Sequence, residues 1–345
     1  MNHGGDIYRN EVELDFSVNM NPLGIPKSVQ NAMHEAVEHC IQYPDPKQEQ
    51  LKDALAAYEK VSPDSILCGN GASELFLAIV HAIKPMQIVI PVPSFLGYEQ
   101  AAQAIGAQIR FVPMQKEDGY RLSETFLEEL TEETDLLFLA NPNNPTGACV
   151  ELSLLEKILV HCENLGIYVV LDECFLPFCV GAVQYETFLA KRKFAHLIRV
   201  RAFTKTFSIP GVRLGYSICE NQTLLSQIQR QLPEWNVSIF AQMAGVAAVK
   251  ETKFIEESKE VIQTERIWLK EQLEKLDCEV FNSETNYLLF KTKAPLYEAL
   301  LKHKILIRDC SNYQGLEKDY YRIAVKTRQE NERLIAVMRE EMKVG

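Results

Sequence analysis

Lys205 stands between two threonines in Ala202-Phe203-Thr204-Lys205-Thr206-Phe207-Ser208, with Arg213 shortly after it. An apolar run at 196–200 precedes this stretch and a second, at 214–219, follows it. The lysine is therefore predicted in a loop between two buried strands. A lysine held in a partly desolvated pocket loses its proton and attacks a carbonyl to form an imine. Hydroxyls beside it and an arginine beyond it suit a phosphate dianion. An amine nucleophile next to a phosphate site is what pyridoxal phosphate requires, held as an imine on Lys205. A lone lysine is more often a solvated surface charge, so this reading depends on what else the chain brings beside it.

Other stretches carry chemistry of the same kind. Gly69-Asn70-Gly71-Ala72-Ser73-Glu74 opens an apolar helix at 75–83. A glycine turn at a helix start aims backbone N–H groups and the helix dipole at an anion. An ordinary capped loop reads the same way. Asp172 follows an apolar strand, where a carboxylate keeps a pyridine nitrogen protonated and the ring an electron sink; a helix cap or a solvated loop acid is the plainer alternative. Asn144, in Asn141-Pro142-Asn143-Asn144-Pro145-Thr146-Gly147, either donates to a phenolic oxygen or serves the turn. Phe95 either stacks on a ring or fills core. Arg308 and Arg322 end strands, and each can clamp an oxyanion with two N–H donors or form a surface salt bridge.

The elements that must position these residues alternate. Short apolar strands are predicted at 66–68, 88–92, 109–112, 136–140, 168–171 and 197–200, with helices between them, notably at 152–165. That pattern predicts an α/β fold, a mostly parallel central sheet with helices on both faces. Ligands in such sheets sit beyond the strand C-termini. The polar motifs at 69–74, 93–98, 141–147, 172–173 and 204–206 each follow a strand, so they are expected to converge on one rim. Helices at 28–40 and 48–60 flank the turn Gln42-Tyr43-Pro44-Asp45-Pro46. A long helix is predicted from 240 to about 276. Strands at 278–281, 287–290, 305–307 and 320–325, closed by an amphipathic helix at 331–342, form a smaller α+β domain. The expected division is an N-terminal arm with part of the small domain at 1–40, a large cofactor-binding domain at 41–250, and the small domain at 251–345.

The 345 residues have ordinary globular composition, and a net charge of −11 argues against nucleic acid or an anionic membrane surface as partner. Nine scattered cysteines without a C-x-x-C pair fit neither a zinc site nor a disulfide framework, and point to a reducing compartment. The first residues lack the apolar core of a leader, and no run reaches membrane-spanning length. The cytoplasm is the expected location.

Asn-Pro-Asn-Asn-Pro-Thr-Gly, Asp172-Glu173, Thr204-Lys205 and Arg213, in that order, resemble the fold-type I pyridoxal phosphate enzymes, the aspartate aminotransferase superfamily. The resemblance spans nearly the whole chain. It implies that Lys205 carries the cofactor, that Asp172 pairs with the pyridine nitrogen, that Asn144 meets the phenolic oxygen and that Phe95 stacks on the ring. It implies a phosphate held by Ala72, Ser73, Thr204 and Arg213, with Tyr43 reaching that phosphate across a homodimer interface. It implies that Arg322 binds the substrate carboxylate.

Much of this is shared with the histidinol-phosphate aminotransferase branch, whose second, phosphate-facing arginine Arg308 resembles. Three stretches look more like the L-threonine-O-3-phosphate decarboxylases of cobalamin biosynthesis: His3-Gly4-Gly5, the run from Asp15 to Gly24, and the run from Ile305 through Arg308 and Tyr313 to Arg322. The substrate implied is a small phosphorylated amino acid, its phosphate facing Arg308 with His3 and Asn19 of the arm. Phosphoserine decarboxylation and aminotransfer remain alternatives, and so does a cofactor-binding regulator, although no basic segment is left over to bind DNA. Two positions depart from the pattern. Phe175 replaces a usual tyrosine, and Gln42 stands where relatives often have arginine.

Overall fold

The computed structural model describes residues 4–342 except Val180 and Lys191, with the side chain of Val183 also left aside. A short strand β1 (Leu14–Asp15) and helices α1 (Lys27–Ala36) and α2 (Glu49–Glu59) precede the main sheet. Its strands are β2 (Ile66–Gly69), β3 (Gln87–Val92), β4 (Gln108–Pro113), β5 (Leu136–Ala140), β6 (Tyr168–Asp172), β7 (Leu197–Ala202) and β8 (Gly215–Ile218). Between them run α3 (Ala72–Ile83), α4 (Leu96–Ala104), α5 (Leu152–Leu165), α6 (Ala182–Ala190) and a four-residue turn of helix, α7 (Phe203–Thr206).

The sheet order is β2-β8-β7-β6-β5-β3-β4. Only β8 runs against its neighbours β2 and β7. Strands β2, β3, β5, β6 and β7 therefore end on one rim, and β8 begins there, directly after Arg213. The side-chain period of two sorts each strand between two cores. Ile88, Ile90, Leu136 and Phe138 pack on one face with α3 and α4, whereas Val89, Leu137 and Leu139 pack on the other with α5. Both faces are covered, as a parallel sheet requires.

After the sheet come α8 (Gln222–Gln229), α9 (Ile239–Ala248) and α10 (Thr252–Glu274). The single long helix expected from 240 is thus two. The N–H groups of Lys250 and Glu251 reach back three residues, to the carbonyls of Ala247 and Ala248, and the tightened turn ends α9. Each half then keeps its own apolar face. Ala241, Ala244 and Ala248 pack in the large unit, and Leu269 and Leu273 pack in the small one.

The small unit holds β9 (Glu279–Val280), β10 (Tyr287–Lys291), α11 (Leu296–Lys302), β11 (Ile305–Leu306), β12 (Arg308–Asp309), β13 (Tyr320–Ala324) and α12 (Arg328–Glu341). The strand expected at 305–307 is divided because the chain changes partner: β11 pairs with β1, and β12 pairs with β13. The antiparallel order is β12-β13-β10-β9. Phe16 of the N-terminal arm is fully buried in this core, whereas Val29 of α1 packs in the large unit with Leu51 and Ala244. A capping box of Thr327 and Glu330 starts α12 three residues before the expected position.

Candidate active site

The rim encloses a cavity of about 210 Å³. From the large unit it receives Ala72, Ser73 and Phe95, then Asn144 and Asp172, then Thr204, Lys205 and Arg213. Arg308 and Arg322 enter from the small unit, and Asn19 from the arm. The large-unit residues meet here because the strands beside them end, or in the case of β8 begin, on the same edge.

One end of the cavity is built for an anion. Gly71 caps α3 without a side chain, so the first N–H groups, at Ala72 and Ser73, lack a side-chain partner of that kind. Gly71 has φ +81°, and a Cβ there would stand 2.5 Å from Arg213 Nη2. Only glycine lets the guanidinium lie against this turn. The turn is further held by Glu74, whose carboxylate accepts from the Asn70 N–H at 2.6 Å and from Asn236 Nδ2 at 2.8 Å. Phe95 packs edge-on to Tyr98, with ring centroids 5.5 Å apart.

Lys205 is carried on α7, not in an open loop. The arm secures that turn: Asn21 N–H donates to the Lys205 carbonyl at 3.1 Å, and Asn21 Nδ2 donates to the Thr206 carbonyl at 2.8 Å. Burial lowers the Lys205 ammonium to about 8, and the charges of Arg322 and Arg213 push the same way. The amine is therefore neutral over an accessible pH range. Burial pushes the Asp172 carboxyl up, and hydrogen bonds pull it back. Tyr98 OH donates to Asp172 Oδ2 at 2.5 Å, and the Cys174 N–H donates to Oδ1 at 2.9 Å.

Glu173, adjacent to Asp172, does not share the rim. Its carboxylate is fully buried on the other side, accepting from Arg199 Nε at 2.8 Å and Arg201 Nε at 2.7 Å. Tyr185 OH also donates to it, and Arg201 continues the network to Glu59.

The two small-unit arginines are buried, not surface ion pairs. Arg322 donates from Nη1 to Asn144 Oδ1 and from Nη2 to the Ser17 carbonyl at 2.9 Å. Its Nε, and Asn19 Oδ1, are buried without a partner among the described residues. Orphaned buried polar atoms on a cavity wall point to a ligand. Tyr43 does not join this cavity. It is 79% exposed and packs on Trp235, with centroids 4.7 Å apart. His3 lies outside the described residues. Tyr98, Cys174, Tyr287 and Tyr313 contribute to the site or its wall without having been singled out. Only tertiary contacts reveal their roles: Tyr98 ends the 93–98 motif and Tyr313 lies in the run from 305 to 322, but nothing local says what either touches.

Residues 11–338 match the aminotransferase class I and II family. The chain belongs to this family. Among its members, threonine-phosphate decarboxylase of Salmonella typhimurium is 36% identical over 332 residues, 94% of this chain and 90% of its own. An adenosylcobalamin biosynthesis bifunctional protein of Leptospira interrogans is 34% identical across 93% of this chain and 38% of its own length. The crystal structure of histidinol-phosphate aminotransferase from Clostridium acetobutylicum has a TM-score of 0.89 at 31% identity, covering 96% of this chain and all of that one.

Family members use pyridoxal phosphate, and this cavity fits it. An uncapped helix start beside an arginine suits the phosphate, a lysine held near 8 suits the aldehyde, and a buried carboxylate suits the pyridine nitrogen. No helix among the described residues is long and apolar enough to cross a membrane.

Proposed function

We propose that this protein decarboxylates O-phospho-L-threonine to (R)-1-amino-2-propanol O-2-phosphate, a step for cobalamin biosynthesis. The observation that carries the reading is the pair Arg308 and Arg322, buried, in register on neighbouring strands and bordering the same cavity as Lys205. Two guanidiniums suit a small substrate with two anionic groups, a carboxylate and a phosphate. The Salmonella relative, similar over nearly its full length, bears the name of this activity.

In this reading Ala72, Ser73, Thr204 and Arg213 hold the cofactor phosphate, and Phe95 covers the ring. Asn144 donates to the phenolic oxygen. Asp172, kept in place by Tyr98 and the Cys174 N–H, pairs with the pyridine nitrogen. When bound, the cofactor supplies an electron sink for the pair left on the substrate's α-carbon. Arg322 binds the α-carboxylate, and Arg308 with Asn19 receives the phosphate. The orientation they impose selects the bond that breaks, between Cα and the carboxylate, so that CO₂ leaves. Lys205 Nζ then carries a proton to Cα, a role suited to an amine whose ammonium is held at about 8.

Two copies pair, in this reading, over the face that exposes Ile41 and Tyr43, which brings Tyr43 to the partner's phosphate site. Nine free cysteines fit a cytoplasmic setting.

The test is product analysis. Cofactor-loaded protein is incubated with O-phospho-L-threonine and no keto acid, and CO₂ and aminopropanol phosphate are followed. Sustained turnover supports decarboxylation. Absence of CO₂, with amino transfer from histidinol phosphate to 2-oxoglutarate, would replace it by an aminotransferase.

A further inference from the structure

Arg308 on β12 and Arg322 on β13 are direct cross-strand partners. Like charges at such positions repel, so something must fix where each guanidinium points. Tyr313 lies against both. Its hydroxyl accepts from Arg322 Nη1 at 3.4 Å, and its ring centroid is 5.2 Å from the Arg308 guanidinium carbon. One side chain thus engages one cation through oxygen and the other through its π face.

Tyr313 is itself well placed for this. It is buried, borders the cavity, and is seated in a tight turn. Its N–H donates to the Cys310 carbonyl at 3.0 Å, and its carbonyl accepts from the Leu316 N–H at 3.0 Å. The arginines have further anchors that differ from each other. Arg322 donates to Asn144 and to the Ser17 carbonyl, and Arg308 Nη2 donates to Asn312 Oδ1 at 2.6 Å.

We propose that Tyr313 is the positioning residue that keeps Arg308 and Arg322 as two separate anion receptors, and so sets the demand for a substrate bearing two anions. The inference deepens the decarboxylase reading and rests on it. With the phenol in place, one guanidinium meets the α-carboxylate and the other the phosphate. Without it, neither guanidinium is held in line with its own anion.

The test uses two probes, each with one anion. L-Threonine has the carboxylate alone, and (R)-1-amino-2-propanol O-2-phosphate has the phosphate alone. Their binding to cofactor-loaded protein is measured by calorimetry, with kcat and KM for O-phospho-L-threonine alongside. Tyr313→Phe keeps the ring and removes the hydroxyl. It should weaken L-threonine binding and raise KM about fivefold to tenfold, the loss expected for one hydrogen bond of ordinary net strength. Binding of the phosphate probe should stay near wild type. Tyr313→Leu should weaken both probes. Equal weakening of both probes by Tyr313→Phe, or no change with Tyr313→Leu, would overturn the assignment. Because binding is read without turnover, wild-type protein that takes up both probes yet releases no CO₂ would sink the decarboxylase reading and leave this test intact.

Discussion

The backbone N–H of Asn21 donates to the carbonyl of Lys205 at 3.1 Å, so the N-terminal arm holds the turn that carries the reactive amine. The same arm is gripped from the small unit, where Asn286 Nδ2 donates to the carbonyls of Asn19 and Met20 at 2.9 and 3.2 Å. Residues 19–21 are thus a tie between the lysine turn and the small unit that supplies both arginines.

Replacing Asn21 by alanine removes buried bonds from its amide to the Thr206 carbonyl and Ser258 Oγ. The acceptors left behind are buried, so the expected cost is about 1–3 kcal/mol. Urea unfolding should show that loss, and cofactor affinity should fall with it because the turn that carries Lys205 keeps the backbone bond but loses the side-chain one. Full stability with Asn21→Ala would mean that the arm merely rests on the turn.

Lys205 gives a pH dependence of definite sign. Its ammonium is lowered from the ordinary 10.5 to about 8 in the fold. Between these values the unfolded chain binds a proton that the folded chain has shed, so this group makes the apoprotein more stable as pH rises from about 8 to 10.5. The neutral amine is also the form that captures an aldehyde. Uptake of pyridoxal phosphate by apoprotein, followed by visible absorbance, should rise with a midpoint at about pH 8. A midpoint above 10 would return Lys205 to the behaviour of a surface lysine, and Lys205→Ala should abolish the band.

Tyr98 and Asp172 form a hydrogen bond of 2.5 Å. It lowers a carboxyl that burial raises. Tyr98→Phe should therefore move the Asp172 titration upward, and the acid limb of the kcat/KM profile should follow it to higher pH. An unmoved acid limb would separate Asp172 from the catalytic titration.

Glu173 stabilises the fold behind the site. Burial raises its carboxyl, but Arg199 and Arg201 outweigh that and hold it below the usual 4.5. A depressed carboxyl contributes fully above its unfolded value and loses that contribution on acidification through the folded one. Glu173→Gln leaves two buried guanidiniums undercompensated. A loss of about 3–5 kcal/mol is expected at neutral pH. Comparing urea unfolding of the variant and wild type at neutral and acid pH checks it, since the difference should shrink as Glu173 protonates.

The parts of the site that could be read in the sequence are those fixed by local chemistry. Strand ends followed by polar motifs placed Ala72, Phe95, Asn144, Asp172 and Lys205 on one rim, because parallel strands leave no other edge for them. What escaped depends on contacts between distant segments. Nothing local says that Tyr98 reaches Asp172 or that Tyr313 lies against two arginines. Asp172 and Glu173 looked like one motif, yet neighbouring residues leaving a strand face opposite ways, and the second belongs to the ion network. The break after Ala248 carries no proline or glycine. It follows from two apolar faces serving two cores. The start of α12, by contrast, was written in Thr327 and Glu330.

The most direct measurement is proton NMR of O-phospho-L-threonine turned over in D₂O by the cofactor-loaded protein. If the arginine pair aligns the carboxylate for cleavage, CO₂ is lost and Lys205 delivers one deuteron to the former α-carbon. The predicted product is aminopropanol phosphate keeping its original α-hydrogen and gaining a single deuterium. Recovery of O-phospho-L-threonine with its α-hydrogen exchanged and its carboxylate intact would contradict this, because the bond aligned for cleavage would then be Cα–H.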